Sequence, residues 1–167
     1  MARNQITEVS ASEPDWSRER GGSGAWEPWK SLLRAIRDYQ RARQRGAAFR
    51  AKRAALRHRF WSVVTGADIP LDCKIGGGLL LPHPNGVVIH PAARIGVNCL
   101  IFQQVTIGAT EKGIPELGGH VDVGAGAKVI GPVHIGNHVK IGANSVVTID
   151  VPDHATVVGI PARIVRS

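Results

Sequence analysis

Cysteine is scarce in this chain. The two present, Cys73 and Cys99, belong to no paired spacing, which excludes a disulfide framework and a thiolate zinc site. Both are expected to be reduced, small packed residues, as suits a cytoplasmic protein. No apolar run approaches the roughly 18 residues of a membrane span, and the first 20 residues are polar, so neither a transmembrane helix nor a signal peptide is expected. Aromatic residues make up only 5% of the chain, and no aromatic stacking platform for nucleic-acid bases is read among the Arg and Lys of its basic stretches. Acidic residues are few in one region only. Residues 1–65 hold 14 Lys or Arg against 6 Asp or Glu, whereas residues 66–167 hold 7 of each, so the net charge of +8 lies wholly in the first part.

A basic appendage on a neutral domain could steer anionic ligands such as phosphorylated cofactors, bind nucleic acid, or be a solvated helix face. Arg and Lys alternate with Ala at helical spacing, which favours the solvated face; no nucleic-acid and no membrane partner is expected. With 43% hydrophobic residues the chain can build one core with a smaller appendage.

Residues 1–25 are polar, include Gly21-Gly22-Ser23-Gly24 and show no period, which predicts a mobile tail. Residues 26–65 read as a basic helical hairpin. Trp29, Leu32, Leu33, Ile36 and Tyr39 recur every three or four positions after Pro28, a second stretch from Ala47 to Trp61 carries Phe49, Leu56 and Phe60, and Gly46 separates the two. Its apolar side should pack on the β domain or on the same hairpin of a neighbouring subunit.

From residue 66 onward the period changes to six. Ile69, Ile75 and Leu81, then Ile89, Ile95, Ile101 and Ile107, then Leu117, Val123, Val129, Ile135, Ile141 and Val147 make thirteen aliphatic positions. Several are followed by Gly, as in Ile75-Gly76 and Ile141-Gly142. Neither a strand nor a helix has this period; it is the hexapeptide repeat of a parallel β-helix. Thirteen hexads at three per coil predict a little over four coils, with residues 66–167 as the repeat domain and the hairpin capping one end. Two places break the period. An eight-residue step between Leu81 and Ile89 forces a bulge at Pro82-His83-Pro84-Asn85-Gly86, and a ten-residue step between Ile107 and Leu117 makes an external loop.

These features resemble the serine O-acetyltransferase branch of the left-handed β-helix acyltransferases over Asp68 to Arg166. The resemblance rests on Asp68-Ile69, Lys74-Ile75-Gly76, the His83 bulge with Gly86-Val87-Val88, Gln103, Val105-Thr106-Ile107-Gly108 and Gly124-Ala125-Gly126-Ala127-Lys128. It continues through Lys140-Ile141-Gly142-Ala143, Ser145-Val146-Val147, Val151-Pro152 and Val158-Gly159-Ile160-Pro161-Ala162-Arg163. It implies a mainly β fold, a left-handed parallel β-helix with a small N-terminal helical hairpin, and an acetyl-CoA-dependent O-acetyltransferase. His83 is then the base that takes the acceptor hydroxyl proton, Asp68 the carboxylate that orients it, and attack on the thioester is direct. By the same resemblance Thr106, Gly108, Ala125 and Ala143 approach the pantetheine of CoA, Lys128, Lys140 or Arg163 meet its phosphates, and Gln103, Asn85 and Lys112 serve the acceptor. No metal is expected, because no histidines show the spacing of a β-helix zinc site. The remaining histidines, His90, His120, His134, His138 and His154, are expected at solvated corners.

The departures concern the acceptor. The family has Asp before the bulge histidine where this chain has Pro82, Glu where it has Pro91, and an Arg-His pair for the amino-acid carboxylate where it has Gly113-Ile114. Without a cationic fork a carboxylate loses charge-assisted hydrogen bonds. Serine therefore stands beside a sugar hydroxyl of a polysaccharide or its precursor, and a non-catalytic trimeric scaffold is a third reading. The resemblance implies a homotrimer with sites between subunits, compatible with pairing of trimers. The chain stops at Ser167 without the long Ile-ended tail through which the serine enzymes engage cysteine synthase, so that complex is not expected.

Overall fold

The computed structural model describes residues 9–20 and 26–166. Helix α1 (Pro28–Gln44) begins with proline at its first turn, where no amide donor is needed, and α2 (Ala48–Thr65) ends at Gly66 in the left-handed conformation. Trp29, Leu32, Leu33 and Ile36 share one face of α1, are buried, and pack in one cluster with Ile69, Cys73, Leu79 and Leu81. The hairpin thus closes the open end of the first coil. Polar groups seal the same contact: Gln40 Nε2 donates to the Leu71 and Cys73 carbonyls at 3.0 Å each, and the His58 Nε2 lies 2.7 Å from the Ile69 carbonyl. Only α1 and the Trp61 side of α2 meet the β domain. Phe49, Leu56, Phe60 and Val63, on the opposite side of α2, are exposed.

The repeat region is a parallel β-solenoid with three faces. The first stacks β2 (Val88–Ile89), β5 (Thr106–Gly108), β8 (Lys128–Ile130) and β11 (Val146–Val147), with Asp68 bridged beneath Val88. The second stacks β1 (Lys74–Ile75), β3 (Arg94–Ile95), β6 (Glu116–Leu117) and β9 (His134–Ile135). The third stacks β4 (Leu100–Ile101), β7 (Asp122–Val123), β10 (Lys140–Ile141), β12 (Thr156–Gly159) and an antiparallel β13 (Ala162–Arg166). All thirteen aliphatic positions of the six-residue period point inward, none more than 8% exposed. Two more do so that the period did not reach. Val151 and Val157 are also buried, so the prism has about five turns rather than a little over four. The step from Val147 to Val151 is four residues, which ends a count that looks only for sixes.

Residues 9–20 do not form the loose tail predicted for residues 1–25; they lie as a strap along the edge between the second and third faces. Asn98, 1% exposed, is the centre of that attachment. Its side-chain amide donates to the Ser10 and Glu13 carbonyls and accepts from the Asp15 amide, all at 2.8 Å, and its own carbonyl accepts from Arg18 at 2.7 Å. Farther along, Glu19 accepts from the Gly78 and Leu79 amides and from Arg37, which also donates to the Ile75 and Gly76 carbonyls at 2.6 and 2.7 Å. A Cβ on Gly119 would run into the Ala11 carbonyl, so the edge is shaped to take the strap. The remainder of the expected tail, residues 1–8 and 21–25, lies outside the described residues.

Candidate active site

Three edges join the faces, and the chain treats them differently. The edge between the third and first faces carries the bulge. Leu81 and Val87 are fully buried at its ends, which leaves Pro82 to Gly86 to project and exposes His83. Backbone bonds fix its shape: Gly86 N to Gly66 O at 2.8 Å, Val87 N to Pro84 O at 3.1 Å, and Gln104 N to Asn85 O at 2.9 Å. The second of these closes a turn and the others tie the bulge to the end of α2 and to the next coil.

Along this edge the left-handed conformation recurs once per coil, at Gly86, Gln104, Gly126 and Asn144. Beside those positions sit Gln103, Ala125 and Ala143, so four of the sequence-predicted residues, with Asn85, share one edge with His83. The small side chains matter here: Ala125 is half-buried, Ala143 is exposed, and a Cβ on Gly124 would stand 2.6 Å from the Ala143 amide nitrogen. Successive coils therefore approach closely and present backbone amides without side chains over them, a cradle suited to a long, thin ligand. Gln103 Oε1 is buried with no hydrogen-bond donor among the described residues. An orphaned acceptor of this kind carries a desolvation cost that a ligand donor would relieve.

Gln104 was missed by the sequence reading. Its Nε2 donates to Asn85 Oδ1 at 3.1 Å, and its carbonyl accepts from Lys128 Nζ, so it links the bulge to the coil above. Its alignment with Gly86, Gly126 and Asn144, the turn positions of the other coils, is the signal that could have found it.

The first face, next to this edge, carries Asp68, Val88, Thr106, Lys128 and Val146 in register, with strands spaced about 4.8 Å apart. Thr106 thus lies next to the cradle, Gly108 stands at the other end of β5 where the external loop begins, and Lys128 is already engaged with Gln104. Asp68 and His83 are both exposed, and no hydrogen bond or ion pair joins them among the described residues. Lys140 stands on the third face, with Arg163 on β13 two strands beyond, and Arg163 donates to the Ala162 carbonyl at 2.9 Å. Lys112 is placed elsewhere. Its loop leaves the far edge of the first face, closed by paired bonds between Thr110 and Gly113 of 2.9 and 3.1 Å, and the whole face separates it from His83 of the same chain.

Of the remaining histidines, His120, His138 and His154 sit at corners as expected and His134 is exposed on β9; the stacking of the first three was not expected. His120, His138 and His154 stack along the strap edge, with 2.9 Å between the Nδ1 atoms of His120 and His138 and the His138 and His154 rings parallel at 4.8 Å. Each is in the left-handed conformation, so the repeat places successive rings over one another. Among the described residues no three His, Cys, Asp or Glu converge as metal ligands. Burial pushes the Cys73 thiol up to about 12 and the Cys99 thiol up to about 11, so neither is a nucleophile.

A three-faced parallel coil of hexads with a histidine bulge on one edge defines the class of hexapeptide-repeat acyltransferase folds. Comparison with known proteins narrows it. No family model matches the chain. The serine acetyltransferase of Synechococcus elongatus is 48% identical over 107 residues, 62% of this chain and 44% of that protein. That of Mycobacterium tuberculosis is 41% identical over 126 residues, 73% of this chain and 54% of that protein. Soybean serine acetyltransferase superposes with a TM-score of 0.72 at 37% identity, covering 83% of this chain and 57% of that one. A serine acetyltransferase solved in complex with CoA gives 0.72 at 34% identity, covering 84% and 57%. In sequence and in fold the chain is similar to serine acetyltransferases, which are hexapeptide-repeat acyltransferases. It spans about half the length of the curated relatives it matches.

Proposed function

We propose that the protein is an acetyl-CoA-dependent O-acetyltransferase that uses L-serine as acceptor and releases O-acetylserine and CoA. The observation that carries this reading is the bulge edge: an exposed histidine at one end of a groove of small residues, on a fold whose relatives include one solved with CoA. Ala125, Ala143, Gly108 and Thr106 would line the pantetheine, and Lys128, Lys140 or Arg163 would meet the phosphates. The groove fits such a ligand, since larger side chains at Ala125 or Ala143 would fill it.

His83 takes the acceptor proton as the hydroxyl attacks the thioester carbonyl, and the thiolate of CoA leaves and is protonated. A hydroxyl is a poor nucleophile at neutral pH, and imidazole titrates near that pH, so removing the proton in the transition state is where the rate is gained. Asp68 orients the ring. Both side chains are exposed, so packing holds neither away from the other, and such contacts commonly tighten only with substrate bound. Gln103 and Asn85, on the same edge as His83, would bind the acceptor. In a trimer, the Lys112 loop of a neighbouring subunit would complete the site that this chain's own Lys112 cannot reach.

A sugar hydroxyl is the second reading, favoured by one observation: Gly113-Ile114 provide no cation for an amino-acid carboxylate. The test is CoA thiol release from acetyl-CoA with L-serine, or with a panel of sugars and nucleotide sugars, in wild type and His83→Ala. Serine-dependent release lost in the variant supports the proposal. Release with a sugar alone selects the second reading, and release with neither returns the scaffold. A cytoplasmic location accords with acetyl-CoA as substrate; among the described residues no helix is long and apolar enough to cross a membrane.

A further inference from the structure

The strongest feature outside the bulge edge is the charge of the helical hairpin. Residues 26–65 hold eleven Lys or Arg against two Asp or Glu, while the rest of the chain holds ten against eleven. A solvated basic face would spread these cations apart to limit their repulsion. Five of them instead converge. Arg41, in the last turn of α1, and Arg45, the residue that caps that helix, face Arg50, Arg53 and Arg57 at three- and four-residue steps on α2, around a cavity of about 250 Å³. Small residues make this possible: Ala42 and Ala54, both buried, form the floor and let the helices approach.

Asp38 is the single carboxylate in the groove, and it is already shared, with Arg41 at 2.7 Å and Arg57 at 3.1 Å. Arg45, Arg50 and Arg53 have no acidic partner among the described residues. Three guanidinium groups without counter-charge, two on α2 and one at the cap of α1, make a pre-arranged anion site. The planar fork of arginine pairs two-by-two with phosphoryl oxygens better than with a spherical ion.

We propose that the groove between α1 and α2 binds a compact phosphorylated anion with two adjacent phosphoryl groups. Its size decides against a larger ligand, because sites for drug-sized molecules run roughly 300–1,000 Å³. No aromatic side chain lines it, so it lacks the stacking surface of a single-strand nucleic-acid site. It is distinct from the groove proposed for CoA, since the hairpin closes the first coil and the small-residue cradle lies on the later ones. The inference does not depend on the acetyl-transfer reading.

The experiment is calorimetric titration of the full chain with pyrophosphate, with CoA held at saturation so that any pyrophosphate subsite of the coenzyme groove is filled. The expected result is one pyrophosphate per chain, binding that weakens as salt rises, and affinity lower by on the order of tenfold or more in the double variant Arg50→Ala, Arg53→Ala. The unliganded double variant should melt no lower than wild type, because both side chains are exposed and their loss relieves like-charge repulsion. Arg59→Ala, outside the groove, should bind as wild type does. The proposal is overturned by absence of binding, by equal affinity in the double variant, or by an equal loss in Arg59→Ala, which would mean diffuse attraction. Tighter binding of a DNA or RNA oligonucleotide than of pyrophosphate, abolished by the same two substitutions, would overturn it in favour of a nucleic-acid backbone.

Discussion

Two edges of the same prism are built from one repeat and end up opposite in character. The strap edge takes the left-handed turn at Gly78, Asn98, His120, His138 and His154, and the bulge edge takes it at Gly86, Gln104, Gly126 and Asn144. Residues 9–20 and the stacked imidazoles cover the first, with Asn98 satisfied by four hydrogen bonds. Nothing among the described residues covers the second, which keeps an exposed histidine, small side chains and the orphaned Gln103 acceptor. A repeat can thus support a covered edge and an open edge with the same backbone; what differs is which one the chain occupies itself.

The largest effect should come from breaking what the two edges share. Val123→Asp places a carboxylate at a fully buried position, at a cost above about 4 kcal/mol, and should abolish cooperative thermal unfolding of soluble protein. A soluble variant that melts cooperatively would show that the inward phase is wrong. Next, His83→Ala should affect the open edge alone: kcat lower by about 10² to 10⁴ with an unchanged melting temperature, read by CoA thiol release. Asn98→Ala should do the reverse. It strands the Ser10 and Glu13 carbonyls and the Asp15 amide, and chemical denaturation should show a loss of about 1–3 kcal/mol while turnover is retained.

Two smaller effects sharpen the contrast. Ala143→Leu should fill the proposed cradle and raise KM for acetyl-CoA by about tenfold with little change in stability, since Ala143 is exposed. On the strap edge, the Asn137 backbone amide bonded to Asp153 at 2.7 Å holds that carboxyl below the usual aspartate range. Its contribution is present above the ordinary value of about 3.9 and is lost as pH falls through the lower folded value. Asp153→Asn should therefore lower the melting temperature slightly at neutral pH, where that contribution is present, converge with wild type at low pH, and so flatten that part of the decline on the acid side.

The six-residue period made the inward positions legible because each hexad repeats one local instruction: aliphatic in, small residue at the turn. The interruption at Leu81 made the bulge legible for the same reason, since two extra residues cannot remain in a regular coil. Even the coil count went short only where the step fell to four, at Val147. The helices were visible from Trp29, Leu32, Leu33 and Ile36. That α2 would leave Phe49, Leu56 and Phe60 exposed was not, because an apolar stripe looks the same in sequence whether or not its partner is present.

What the sequence by itself determined, then, is the pattern of inside and outside: thirteen inward rungs, one bulge with its histidine, and a basic hairpin on a neutral prism. Which edge stays open was decided only in three dimensions. The strap binds Asn98 from more than 80 residues away, Gln104 meets Asn85 and Lys128 across coils, and arginines on two helices meet around one groove. These are contacts between residues far apart in the chain, and a local period carries no information about which distant segment will cover a given surface.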